Sequence, residues 1–449
     1  MRRFALSLTL TAAVLAALPI ARAQAGRTVA FTNVTVVPMD SNRVLTNHTV
    51  IVTNERISAL GPSSATKLPD GAVQVDGRGK FLMPGLGEMH GHIPALTQPQ
   101  ELIENVLFLY VAGGVTTVRG MQGAAGQLDL RARAKSGEIV APTLYLAGPA
   151  FSGNAVKTAD EAVARVRQQK AEGWDLLKVL TGLSVETYDA MARTAKEVGI
   201  PFGGHVPAAV GVMHAIDMGQ ATFDHLDGYA EHLDGRTKPV DEKALQDLVA
   251  RTRKAGAGVV PTMFVWETLE GPVTLESRTG LAELKYLPRA QIDQWTRSLE
   301  NRLRDSKFNA AEAAQYMKNR NRILRALHAG GVPVLLGSDA PQQFNVPGFS
   351  IHRELKSMAD AGMSAYEILK SGTANIGAYL KAHDDFGTIA INKRADVILV
   401  DANPLQNIAN VDKRAGVMVR GRWIPHSEIQ ARLDRIARAY AATGPQPSQ

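Results

Sequence analysis

Eight short apolar runs alternate with helical patterns of ten or more residues between Pro84-Gly85 and about residue 380, and this alternation constrains the chain more than any other feature. The runs span residues 86–93, 115–119, 143–147, 176–180, 201–206, 221–226, 259–263 and 334–339, and each reads as a strand. Helices fit between them, for instance Ala159–Glu172 and Val185–Val198, each closed by a glycine. Eight strand–helix alternations over about 300 residues are the expectation for an α/β chain folded as a (β/α)8 TIM barrel.

The flanks have a different texture. Residues 28–37, 48–60 and 73–76 are rich in β-branched side chains and separated by turn formers, and strand character returns at 387–391, 395–400 and 416–423. The expected organisation is therefore a β-sandwich built from 24–84 and 386–425, a barrel over 85–385, and a C-terminal helix and tail over 426–449. Ahead of these, Arg2 and Arg3, an apolar stretch over 4–20 and Ala21-Arg22-Ala23 read as a secretory signal over 1–23, cleaved before Gln24. Its removal takes three arginines away and lowers the formal charge from +7 to +4. A secreted or periplasmic protein is expected, with no membrane span once the signal is gone.

The chain has no cysteine, which excludes disulfides, thiolate metal sites and thiol nucleophiles. Any metal must rest on histidine, carboxylate or lysine-derived ligands. His90-Gly91-His92 ends the first run, and alternate residues on a strand share a face, so both imidazoles can meet one ion. Lys178, His205, His225 and Asp339 lie at or near the C-terminal ends of later runs, the end at which a barrel places its chemistry. An ammonium at Lys178, inside an apolar strand, must be paired, neutral or modified. An ion pair, a Schiff base and a carbamate made with CO2 all satisfy that requirement. Four histidines and Asp339 supply two ligand sets that need a bridge, which favours the carbamate.

The run Phe81-Leu-Met-Pro-Gly-Leu-Gly-Glu-Met-His-Gly-His92, Gly113-Gly-Val-Thr-Thr-Val-Arg119, the lysine strand, Gly204-His205-Val-Pro207, Asp224-His225-Leu-Asp-Gly-Tyr229 and Gly337-Ser-Asp339 together resemble the amidohydrolase superfamily, in its imidazolonepropionase-related and prolidase-like branch. The resemblance covers essentially the whole chain after the signal. It implies that His90 and His92 bind the more buried of two divalent ions, expected to be zinc, and that His205 and His225 bind the other. Carbamylated Lys178 would bridge them, and Asp339 would bind the first ion and shuttle protons. It also implies an amide hydrolase, acting on a dipeptide, an N-acyl amino acid or a related carboxamide, in which two ions lower the pKa of a water. Prolidase-like relatives tend to carry Gly-Gly-His-Gly after the third strand. Here Gly148-Pro-Ala-Phe-Ser-Gly-Asn154 takes its place, so Xaa-Pro specificity is not implied.

Three further residues are candidates for substrate contact: Tyr229 as a donor, Arg119 as a carboxylate clamp, and His352 near the mouth, with packing or an ion pair as the plainer reading of each. Lys318, Arg320, Arg322 and Arg325 form a basic helix face expected to meet solvent, and in an exported chain they do not argue for nucleic acid. The expected partner is a small-molecule amide or peptide substrate, and a homo-oligomer is compatible with the sequence. The rival readings are a lactone or organophosphate ester hydrolase on the same site, a mononuclear deaminase or cyclic amidine hydrolase, and a binding protein without catalysis.

Overall fold

The computed structural model describes residues 28–442. The signal segment and the last residues of the tail lie outside them. The β-branched N-terminal runs form β1 (Thr28–Val36), β2 (Leu45–Thr53), β3 (Arg56–Pro62) and β4 (Val73–Asp76), followed by β5 (Phe81–Pro84). The run over 48–60 is thus two antiparallel strands, turned at Asn54, whose φ of 56° is the left-handed conformation that asparagine tolerates. Seven parallel-unit strands come next: β6 (Leu86–Gly91), β7 (Val115–Gly120), β8 (Thr143–Leu146), β9 (Leu177–Val179), β10 (Phe202–Gly204), β11 (Thr222–Asp224) and β12 (Gly258–Val260). The chain closes with β13 (Val397–Val400), β14 (Arg414–Val419) and β15 (Arg422–Pro425), while 387–391 forms no strand.

The two flanks share one sheet. Its order is β15-β14-β13-β5-β1-β2-β3, with β4 also paired to β1, and the junction between the two ends of the chain is β5 against β13, Met83 opposite Ile398. A sandwich would have had two separately bonded sheets. Instead this single sheet curls, so that Phe31 of β1 meets Trp423 of β15 edge-on with ring centroids 5.0 Å apart. Val34, Val52, Leu82, Val397 and Met418 fill the enclosed core.

Two parallel ladders carry the middle of the chain, β6-β7-β8 and β9-β10-β11-β12. Two isolated bridges, Ala147 to Leu176 and Phe151 to Val179, join them. The expected eighth strand, 334–339, makes one bridge, Val334 to Val259, so the strand pairing is not one unbroken closed ladder. Its backbone is still bonded to both neighbours: Leu335 N–H donates to Val259 O (2.9 Å), Met89 N–H to Leu336 O (2.9 Å) and Asp339 N–H to His90 O (2.8 Å). Regular pairing fails there because side chains take the backbone groups. The Glu88 carboxylate accepts both the Ser338 N–H (2.8 Å) and the Ser338 hydroxyl (2.5 Å).

Local signals explain the helices between these strands. Thr158 and Glu161 form a reciprocal capping box ahead of Ala159–Glu172, and Gly173, at φ 87°, ends that helix in a conformation costly for any residue with a Cβ. Ser184 caps Val185–Val198, which Gly199 ends in the same way. Pro84-Gly85 passes the chain from the curled sheet into β6, and a Cβ on Gly85 would lie 2.2 Å from the Thr116 Oγ1. The expectation of an exposed basic face fails at Arg320. It is 1% exposed and its guanidinium lies over the Trp266 ring, 4.8 Å from the centroid. No helix among the described residues is long and apolar enough to cross a membrane.

Candidate metal centre

The strand ends of the parallel unit bring His90, His92, Lys178, His205, His225 and Asp339 into one connected cluster. Strand alternation puts Glu88, His90 and His92 on one side of β6 and its continuation. The His90 Nε2 lies 3.0 Å from the Lys178 Nζ on β9 and 3.7 Å from the Asp339 carboxylate. The His92 Nε2 lies 2.7 Å from the same carboxylate. His225, just past β11, stands between the others, its ring centroid 4.4 Å from that of His90 and 4.5 Å from that of His205. Donor atoms of His90, His225 and Asp339 all lie within 4.8 Å of one another.

Three of the four imidazoles are pinned through Nδ1, which turns Nε2 toward the cluster. His90 Nδ1 pairs with Asp224 (2.7 Å), His205 Nδ1 with Asp227 (2.6 Å) and His225 Nδ1 with the Thr262 hydroxyl (2.8 Å). This is the usual support for a metal-binding histidine, because the partner fixes both ring direction and tautomer. The His225 Nε2 is buried and has no hydrogen-bond partner among the described residues. A buried nitrogen left unpaired costs about 1–3 kcal/mol, and a metal ion would satisfy it. The donor set, nitrogen and carboxylate oxygen, suits zinc and tolerates other divalent ions. The site therefore fits a metal.

Burial sets the protonation. His90 and His225 are 1% exposed, and desolvation holds both well below the ordinary histidine value, in the neutral form that binds metal. Burial also brings Lys178 down to about 8 and pushes Glu88 up to about 8. The backbone carries strain at the same place. His225, Thr262 and Asp339 have φ values of 65°, 44° and 64°, costly for residues with a Cβ and concentrated where three strand ends converge on the cluster.

The three candidates for substrate contact are all engaged in internal contacts, the plainer reading of each. Arg119 is 1% exposed, and all its reach is used inside: Nε donates to Met89 O (2.6 Å), Nη1 to the Thr222 hydroxyl (3.0 Å) and Nη2 to both Asp224 oxygens (3.1 and 2.9 Å). It holds the carboxylate that holds His90. Tyr229 is fully buried, its hydroxyl paired with Thr252 (3.0 Å) and its ring against Phe223. His352 Nε2 donates to Gly113 O (2.8 Å), at the N-terminal end of β7 and so away from the cluster. Burial and the Arg414 guanidinium hold it down to about 4.

Sequence reasoning missed Glu88, Asp224, Asp227 and Thr262. Asp224 and Asp227 had a signal, two carboxylates flanking His225 in Asp-His-Leu-Asp, and Glu88 was a lone acid in an apolar run. Arg119→Lys tests the support of His90. A lysine has one nitrogen and cannot hold Met89 O, the Thr222 hydroxyl and Asp224 together, so metal affinity measured by titration calorimetry is expected to fall by about tenfold. Unchanged affinity would remove Arg119 from the site.

Residues 81–424 match the profile of the Amidohydrolase family. No curated protein matches the chain. Among solved structures, a Xaa-Pro dipeptidase with methionine bound in its active site is 21% identical, with a TM-score of 0.66 over 89% of this chain and 100% of its own. A bottromycin amidohydrolase is 23% identical, with a TM-score of 0.73 over 92% of this chain and 91% of its own. A molinate hydrolase is 19% identical, with a TM-score of 0.67 over 90% and 95%. At these identities the likeness is one of fold.

Proposed function

Because the chain belongs to the amidohydrolase family, and is therefore a hydrolase acting on carbon–nitrogen bonds, we propose that it cleaves the amide of a dipeptide, an N-acyl amino acid or a related carboxamide at a binuclear zinc-type centre. The observation that carries this reading is the convergence of His90, His225 and Asp339 around a buried, unpaired His225 Nε2, with Lys178 alongside. Two further parts of the proposal rest on sequence and backbone. The leader over 1–23 supports export, and the backbone bonds of 334–340 to β12 and β6 support a (β/α)8 barrel as the frame.

His90, His92 and Asp339 would hold one ion, and His205 and His225 the other, with a carbamate on Lys178 as their shared ligand. The carbamate forms when the neutral amine adds to CO2 and loses a proton, which replaces one nitrogen donor by two oxygens. When bound, divalent ions supply Lewis acidity, making water acidic enough to ionise near neutral pH and polarising an amide carbonyl. The chain's own residues do the rest. Asp339 accepts the proton from water and delivers it to the leaving amine. Asp224, Asp227 and Thr262 keep the imidazoles aimed. The near-complete burial of His90, His225 and Lys178 keeps bulk water from competing.

Elemental analysis of protein produced with added zinc is expected to give about two ions per chain, and a value near one would overturn the binuclear centre in favour of a mononuclear deaminase or cyclic amidine hydrolase. Amide turnover is expected to disappear on chelation and return with zinc. A screen in which only lactones or phosphotriesters turn over would overturn the amide reading, and no turnover of any substrate would favour a binding protein.

A further inference from the structure

The cluster is sealed on most sides. His90, His225 and Lys178 are each 1% exposed, whereas the His92 and His205 side chains are 23% and 21% exposed. A substrate therefore approaches along the His92–His205 edge. A cavity of about 490 Å³ opens on His92 itself. Its walls come from the segment after β6 (Ile93, Pro94), from Leu102 and Val106 of the helix Gln100–Ala112, and from Leu287 of the segment ahead of the helix Arg289–Arg304.

Among the described residues, no aspartate, glutamate, lysine or arginine lines this cavity, and its side-chain amides come from glutamines. A charged group entering it would lose hydration and find no counter-ion, whereas an apolar group would gain by leaving water. The contrast is the cavity of about 310 Å³ bounded by Arg236, Glu270, Arg302 and Asp305, which is charged and shares no residue with the cluster.

Resting on the amide-hydrolase reading above, we propose that the His92 cavity is the subsite for an uncharged, apolar arm of the substrate, so that the natural substrates are amides bearing an aliphatic or aromatic group. Two substrate series locate the arm: N-acylglycines lengthened from acetyl to hexanoyl, and N-acetyl amino acids running from glycine through valine to phenylalanine. In the series whose arm enters the cavity, kcat/KM is expected to rise by about fourfold per added methylene. Leu102→Glu is expected to collapse the ratio of long-arm to short-arm kcat/KM.

A second readout needs no turnover. The chain has no cysteine, so Ala290→Cys places one thiol on the cavity wall. Its alkylation by iodoacetamide is expected to slow with N-hexanoylglycine or N-acetylphenylalanine and to be unaffected by N-acetylglycine. Chelation-sensitive amide turnover with flat series and no thiol protection would overturn the subsite and leave the hydrolase standing. Absence of all amide turnover would overturn the hydrolase reading, and thiol protection would then still decide whether the cavity takes an apolar arm.

Discussion

Lys178→Ala is expected to reduce amide turnover by about a thousandfold or more, which corresponds to roughly 4 kcal/mol of barrier. The argument starts from position. Lys178 is 1% exposed and its Nζ lies 3.0 Å from the His90 Nε2, with no salt bridge among the described residues. Burial lowers the ammonium to about 8, so far more of the neutral amine is present at pH 7 than in an exposed lysine. The neutral amine is the form that adds to CO2. Removing it should also lower the metal content, because the two ions lose their shared ligand. A purely structural lysine predicts a different pattern. Asp224 would stay paired with Arg119, the fold would survive, and metal content and rate would be unaffected. Turnover and zinc content equal to the parent's would therefore sink the bridging role.

Asp339→Asn is expected to lower kcat by about a hundred- to ten-thousandfold, the range that a positioned acid–base group supplies. The asparagine keeps the shape and cannot take a proton. It also tolerates the left-handed backbone of this position, φ 64°, as well as aspartate does, so folding strain does not confuse the outcome. More metal should remain in Asp339→Asn than in His225→Ala, which deletes a buried donor and leaves space behind. Comparing kcat and zinc content across the two variants separates proton transfer from metal binding. If Asp339→Asn lost its metal and its rate in step with His225→Ala, Asp339 would be a ligand and no more.

The members of the cluster were legible in the sequence because strand ends in this fold face one chamber, so residue types separated by more than two hundred positions can be read as neighbours. The helices were legible for a local reason: Thr158 with Glu161, and the terminal Gly173 and Gly199, act within a few residues. Less visible was anything decided by a tight turn or a partner far along the chain. Two hairpins were read as single strands, since β-branched residues stand on both sides of Asn54 and of Arg420-Gly421. Arg119 was a candidate substrate clamp because of its place at a strand end, with an ion pair as the plainer reading, and the ion pair with Asp224 is what forms. Only the depth of Asp224 and its bond to His90 turn the guanidinium inward. Arg320 shows the same gap, since a helical wheel gives its face but not the ring of Trp266 that covers it.

The pairing of β5 with β13 has a consequence for how the molecule is made. Met83 can meet Ile398 only after every parallel strand between them has been synthesised, because all of them lie inside that loop. Until then β5 is the unpaired margin of a partly formed sheet, able to accept a strand from another chain. Closing so long a loop carries an entropic penalty that local contacts do not repay, so this pairing belongs to the late part of folding. The chain is thereby exposed to misassembly during synthesis at the sheet margin where its two ends later join.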